Sequence, residues 1–302
     1  PSAVAADLPD SIDALIGARI DALPNSQRQV LQTCAVLGKD VHMAILARVL
    51  RLPPGRLAAA LRNLCTAELL VRTGRGDTAE AKLSFAHPLI QEVAYGAVLR
   101  SHRQATHARV ADVMERRHAH DPRAGEFAAL MAYHREHAGH FLAAARHAAR
   151  AARWAPTGDP TVGIERWRKV LLLLEREQET DETQALSALS SGRIVFLGWR
   201  GGVTTQEVAQ LIGRALAQAS QADARLPQLL HFAHARMLQA SGGSADVYVE
   251  AVQAALALPD PPGDPGRRAL LHVVLSQAYA WAGRLREALA ASDVALTQAD
   301  AV

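Results

Sequence analysis

Aromatic side chains make up only 4% of the 302 residues, although 49% are apolar. A core with so few rings is built from Ala, Leu and Val, and such residues favour helices over the pleated surface that aromatic and β-branched residues fill. A mainly α fold is expected. Cysteine is scarce as well: Cys34 and Cys65 each sit in a helical apolar pattern, which excludes a disulfide framework and points to a reducing, cytoplasmic compartment. Long apolar runs are missing. The longest aliphatic stretch is "VLLLL" at 170–174, where a membrane span needs about 20 residues, and no charged-then-apolar leader opens the chain. The opening "PSAVAADLPDS" reads as a cut within a longer chain. No charge sign dominates either. The 33 basic and 30 acidic residues leave a net +3, spread along the chain, so the long-range field that would hold DNA or a membrane is absent. The sequence pI of 9.2 alone leans toward a polyanion.

What is present is helical periodicity, over a length that suits two domains. Ile12, Leu15, Ile16, Ile20 and Leu23 recur at helical spacing behind Asp10 or Ser11 as N-cap, and Pro24 ends that helix. "NSQRQVLQTCAVLG" predicts a second helix, capped by Asn25 or Ser26 and closed by Gly38. "VHMAILARVL" predicts a third, stopping before Pro53 and Pro54, and "GRLAAALRNLCTAELL" a fourth, with Leu57, Leu61, Leu64 and Leu69 on one side. Then "LVRTGRGDTAEAKLSF" changes character: a polar Gly-containing loop leads to "KLSF", where Leu83 and Phe85 alternate with polar neighbours. This predicts a β-hairpin. Short helices, a hairpin and then "HPLIQEVAYGAVL" is the order of a winged helix.

Beyond residue 121 the hairpin signals vanish and helices repeat. In "LSQAYAWAGRLREALAASDVAL", Leu275, Ser276, Tyr279, Gly283, Ala288, Ala295 and Leu296 fall on the tetratricopeptide frame, whose period is about 34 residues. Glycine turns the corner between two helices and small residues let them pack closely. The same spacing recurs, in degenerate form, as Gly139, Ala144, Ala151, as Gly158, Gly163, Val170 and as Gly243, Tyr248, Ala255, with a further pair ending in Ala215 and Leu216. "PTGDPT" and "PDPPGDPG" punctuate the array as helix ends.

The phrases "LPDSIDALIGARIDALP", "VLQTCAVLGKDV", "LRNLCTAELLV" and "FAHPLIQEVAYGAVLRSHRQATHARVADVME" resemble the winged-helix segment of STAND-type signalling ATPases. The resemblance is greatest to the bacterial kind attached to class III adenylate/guanylate cyclases or LuxR-type regulators. It covers the first 118 residues by motif and the whole chain by architecture. It implies a P-loop ATPase core upstream, in cis, that binds ATP/ADP with Mg, and a tetratricopeptide array downstream. It also implies a role for His87: in such proteins a histidine just after the wing contacts the phosphate of bound ADP in the closed state. Its physical setting is a helix start, where N–H groups and partial positive charge suit a phosphate. Ala86 and Pro88 depart from the family's Met-His-Asp setting, and the opposing reading of His87 is a capping histidine.

Other candidate sites are weaker. A P-loop needs G-x4-G-K-[ST], but the one Gly-Lys, Gly38-Lys39, is followed by Asp40 and has Thr33 where the first Gly belongs. No pair of metal-binding aspartates sits in a strand-rich setting. His134, His137, His140 and His147 raise a zinc site, yet Cys ligands are missing and Gly139 interrupts the helix, so a solvated helix face is expected there, and likewise at His231 and His234. Tyr279, Trp281 and Trp199 are expected in the core. Arg100, Arg103, Arg109, Arg116 and Arg117 could suit DNA, but Asp112 and Glu115 interleave with them. The presumed recognition helix at 55–69 offers only Arg56, Arg62 and Asn63, and the wing holds Asp77 and Glu80 beside Arg72, Arg75 and Lys82.

The expected organisation is a winged-helix domain with a small β-hairpin and a connecting helix at 1–120, then a tetratricopeptide-like α-α superhelix at 121–302. The expected function is regulatory and non-enzymatic in this segment, with no metal or cofactor of its own. The winged helix would sense the nucleotide state of the core, and the array would bind a protein or small-molecule inducer on its concave face. The alternative is a DNA-binding winged-helix transcriptional regulator with a ligand-sensing array.

Overall fold

Several helices start where a proline or a polar side chain frees or satisfies the first turn's N–H groups. The computed structural model describes residues 11–73, 82–119, 121, 125–154, 159–218, 225–240, 242–258 and 266–300. Fifteen helices and three strands lie among them, in two compact units, 1–140 and 141–302. Helix α7 thus goes with the first unit, although the sequence places the boundary at 120/121.

In unit one, Ser11 caps α1 (Ile12–Asp21), its Oγ accepting from the Ala14 N–H at 3.1 Å. Ile16 and Ile20 are buried, while Ile12 and Leu15 of the same apolar pattern face solvent. Helix α2 (Asn25–Leu37) begins directly after Pro24, and neither Asn25 nor Ser26 caps it: the Pro24 carbonyl accepts from the Gln27 and Arg28 N–H groups instead. Gly38, at φ 113°, ends α2 as expected. The helix expected at 41–50 is split into strand β1 (Asp40–His42) and helix α3 (Met43–Leu50). Three residues are too few to show a period of two. Val41 is drawn into the sheet by pairing with Leu83, and both are buried.

Helix α4 (Pro54–Thr66) buries Leu57, Leu61 and Leu64, and Leu69 is buried just beyond its end. The expected hairpin is formed by β2 (Leu70–Thr73) and β3 (Lys82–Phe85), with β3 central in an antiparallel sheet of order β1-β3-β2. The hairpin tip, with Arg75, Asp77 and Glu80, lies outside the described residues. Helices α5 (Pro88–Gly96), α6 (Arg100–Arg117) and α7 (Ala128–His137) complete the unit, α5 and α6 each packing on α2 and α7 packing on α6.

The described elements of unit two are all helices: α8 (Phe141–Trp154), α9 (Pro160–Leu174), α10 (Asp181–Gly201), α11 (Thr205–Gln218), α12 (Arg225–Ala240), α13 (Ala245–Ala257), α14 (Gly266–Trp281) and α15 (Leu285–Ala299). Contacts run mainly between neighbours: α8 with α9, α9 with α10, α10 with α11 and α12, then α12 to α15 in succession. That near-neighbour order is characteristic of stacked repeats.

Four of the turns close in the same way. Gly139, Gly202, Gly242 and Gly283 all have left-handed φ, between 72° and 82°. In each case the next residue's N–H donates to the carbonyl five positions back: His140 to Arg135, Val203 to Gly198, Gly243 to Leu238 and Arg284 to Tyr279. This is the Schellman closure, whose left-handed position glycine takes without strain; after α4 the same position is held by Glu68, at φ 55°, and the Leu69 N–H donates to the Leu64 carbonyl. The turn residue of the third copy is therefore Gly242 rather than the expected Gly243. Each following helix buries two residues seven apart on one face: Ala144 and Ala151, Val208 and Ala215, Tyr248 and Ala255, Ala288 and Ala295. Val208, Tyr248 and Ala288 stand 40 residues apart, a period longer than the 34 expected. Gly163 and Val170, also seven apart, are both buried on α9, whereas Gly158 lies outside the described residues.

Candidate functional site

His87 is the N-cap of α5. Its backbone is extended, φ −144° and ψ 142°, and its Nδ1 accepts from the Leu89 N–H at 3.2 Å. Pro88 occupies the first helical position and has no N–H, and the Ile90 N–H donates to the His87 carbonyl at 3.0 Å. The start of α5 therefore satisfies itself, and its backbone is not the anion site that an open helix start would be. What remains is the ring. With Nδ1 accepting, a neutral imidazole carries its proton on Nε2, and His87 is exposed. Capping thus fixes the tautomer and leaves one N–H donor facing outward, suited to a single phosphate oxygen. Gly38-Lys39 cannot cradle phosphates: it follows the C-terminal end of α2, where carbonyls project.

A second cluster lies at the contact of α5, α6 and α7. His134 is not on a solvated face. It is fully buried, as is His107 of α6, and their Nδ1 atoms are 2.8 Å apart. The Tyr95 hydroxyl of α5 lies 3.0 Å from His107 Nε2. His137 and Tyr133 close the group, with the His107 and His137 ring centres 5.0 Å apart and those of Tyr133 and His137 4.0 Å apart. His137 Nδ1 bonds the Tyr133 carbonyl at 2.9 Å, and Arg103 stacks over Tyr95 at 4.9 Å. His134 Nε2 is buried with no hydrogen-bond partner. Burial, then the neighbouring His137 and Arg103, pushes His107 down to about 4; burial, then His107 and His137, pushes His134 down to about 3. Both rings are neutral at pH 7. No group of three or more His, Cys, Asp or Glu among the described residues has metal-holding geometry, and His231 and His234 are half-buried rather than solvated.

Beside this cluster, Arg135 of α7 clasps α6. Its Nε and Nη2 donate to the two Glu115 oxygens at 2.8 and 2.6 Å, and Nη2 also reaches Asp112 at 2.7 Å. The two acids of the basic helix are thus spent on its neighbour. Arg109 of α6 likewise bonds within its own helix, to Thr106, at 3.1 Å. The outer face of α4 shows Arg56, Arg62 and Asn63 to solvent, a thin basic surface for a duplex.

In unit two, Ser276 and Ser292 hydroxyls bond at 2.7 Å between α14 and α15, and Gln253 Nε2 donates to the Tyr279 hydroxyl at 2.8 Å. Tyr279 is partly buried, but Trp281 is 51% exposed, contrary to its expected core position. It meets Tyr248 only edge to face, at 6.2 Å. Nothing is described of the Trp199 side chain. Leu285, Leu289 and Leu296 line an exposed stripe of α15. A cavity of about 320 Å³ lies near the end of α9, lined in part by Glu175, Glu179, Thr183 and Arg214. No described helix is long and apolar enough to cross a membrane.

The sequence matches no family profile and no curated protein. Among solved structures, the chain is similar to BtubC (BKLC) from P. vanneervenii, with 16% identity over 68% of this chain and 92% of that one, at a TM-score of 0.37. It is also similar to a Signal Transduction ATPase with Numerous Domains (STAND) protein with a tetratricopeptide repeat sensor from Pyrococcus horikoshii, with 11% identity at a TM-score of 0.36. That likeness covers 98% of this chain and 47% of the other, so the chain spans about half the length of the Pyrococcus protein.

Proposed function

We propose that this chain is the regulatory segment of a bacterial STAND-type signalling ATPase, with a cyclase or a LuxR-type regulator as its output. Unit one is a winged helix that rests on an upstream P-loop core and reports its nucleotide state. Unit two is a tetratricopeptide-like superhelix whose concave face takes a protein or a small-molecule inducer. The segment has no catalytic role; ATP and ADP, with Mg, belong to the core, and the γ-phosphate supplies the difference between the two states. Inducer and nucleotide then bias one equilibrium between closed and open arrangements.

The observation that carries this reading is the state of His87. Nδ1 is held by the Leu89 N–H and the ring is exposed, so Nε2–H is a pre-oriented donor at the sequence position where the resemblance places a phosphate contact. The test is ADP release from the full-length protein. His87→Ala is expected to speed release of a fluorescent ADP at least tenfold while unit one keeps its far-UV circular dichroism. His87→Asn keeps a helix cap without Nε2. If Asn restores slow release, His87 acts only as a cap and the sensing role fails.

A further inference from the structure

We propose that the His107–His134 pair is an acid-sensitive latch: proton uptake by the two rings opens the contact that holds α7 on α6. The pair is buried between these helices with Nδ1 atoms 2.8 Å apart, so one ring donates and the other accepts. The Tyr95 hydroxyl bonds the far nitrogen of His107, while the far nitrogen of His134 has no partner. Whichever tautomer is present, the closed form contains one unsatisfied buried nitrogen. That nitrogen is a burden on the contact even at neutral pH.

The surroundings offer an added charge no compensation. From α5 the pair faces Tyr95, and from α6 it faces Arg103; from α7 come His137 and Tyr133, the latter influenced by Glu136. Neither α2 nor α3, which also pack on α6, contributes a charged group that acts on either ring. The carboxylates of Asp112 and Glu115 are held by Arg135. A first proton therefore places a cation beside Arg103, and no carboxylate is among the groups that act on either ring. A second leaves two N–H donors pointing at each other. Because both rings bind protons less readily closed than open, the contact is fully held above about pH 6.5 and weakens as pH falls. Each ring contributes about tenfold per pH unit below 6.5, so two rings give roughly 100-fold at pH 5.5. Helix α7 is the last of unit one, and the chain runs from it through Gly139 into α8.

The test is amide hydrogen exchange of the whole chain at pH 7.5 and 5.5, corrected for intrinsic rates. Protection of α7 is expected to fall about 100-fold, with α2 unchanged, and the His107→Gln/His134→Gln double variant is expected to lose this step. Equal α7 protection at both pH values overturns the latch, as does a parallel loss in α2 and α7, which would be general acid unfolding. If the double variant fails to fold, the ring Cε1–H signals of the wild type decide. The assigned signals of His107 and His134 must stay those of unprotonated rings at pH 5.5 in the closed form; ordinary titration of both near 6.5 rules the latch out.

Discussion

Replacing Gly201 by alanine should loosen the α9–α10 pair, and the size of the effect follows from what the new methyl group would meet. A Cβ at Gly201 would overlap Ile164 Cδ1 of α9 and come within 3.6 Å of the Pro160 carbonyl carbon. Ile164 is fully buried and cannot swing into solvent, so either it leaves its rotamer or the two helices separate. Overpacking of this kind costs about 1–3 kcal/mol, and the helix preference for alanine over glycine returns about 0.5–1 kcal/mol, for a net loss of up to about 2.5 kcal/mol. Gly213 on α11 is the control. Nothing lies within 4 Å of its Cβ position and it is exposed, so Gly213→Ala should stabilise by about 0.5–1 kcal/mol. All four tryptophans, Trp154, Trp167, Trp199 and Trp281, belong to unit two. Tryptophan emission during urea unfolding therefore reports that unit alone. The two variants should shift the midpoint in opposite directions; a midpoint for Gly201→Ala at or above wild type would mean that α9 and α10 do not pack this closely.

Arg135→Met should cost about 1–3 kcal/mol of α7 docking, since it leaves Asp112 and Glu115 facing each other without their shared cation; exchange protection of α7 amides at pH 7.5 measures it. Ala288→Leu adds bulk at a buried position of α15 and should cost about 1–3 kcal/mol. Arg284→Ala, which removes an exposed ion pair to Glu287 and a stacking contact over the Tyr279 ring, should cost about 1 kcal/mol at most; equal losses in thermal melts would contradict the repeat register. The isolated chain should neither hydrolyse ATP nor cyclise it, and should show no steeply salt-dependent binding to duplex DNA. Turnover that survives a further purification step, or salt-dependent duplex binding, would restore the enzyme or transcription-factor alternatives.

Legibility in the sequence followed the range of the forces involved. The hairpin was readable because Leu83 and Phe85 alternate within one strand, but β1 was not, because Val41 is strand only through its pairing with Leu83. The start of α2 carries polar residues that look like caps, but Pro24 already supplies the turn. His107 was findable: it continues the buried stripe through Val110, Ala111 and Met114 of α6, three to seven residues away. Its partner was not, since only the packing of α7 on α6 brings His134 to it. In the array, residues seven apart on one face were visible, but the 40-residue period was hidden. Gly242 and Gly243 are adjacent candidates for the same turn, and only backbone φ separates them.

The central claim is that this chain distinguishes the nucleotide states of an ATPase core. Its most direct measurement is the affinity of the purified chain for that core, loaded with ADP in one case and with a slowly hydrolysed ATP analogue in the other. Because coupling between two sites is reciprocal, a chain that stabilises bound ADP must itself bind the ADP-loaded core more tightly. The expected difference is at least tenfold, abolished by His87→Ala. Equal affinity for the two loaded forms, or a difference that persists without His87, would contradict the account.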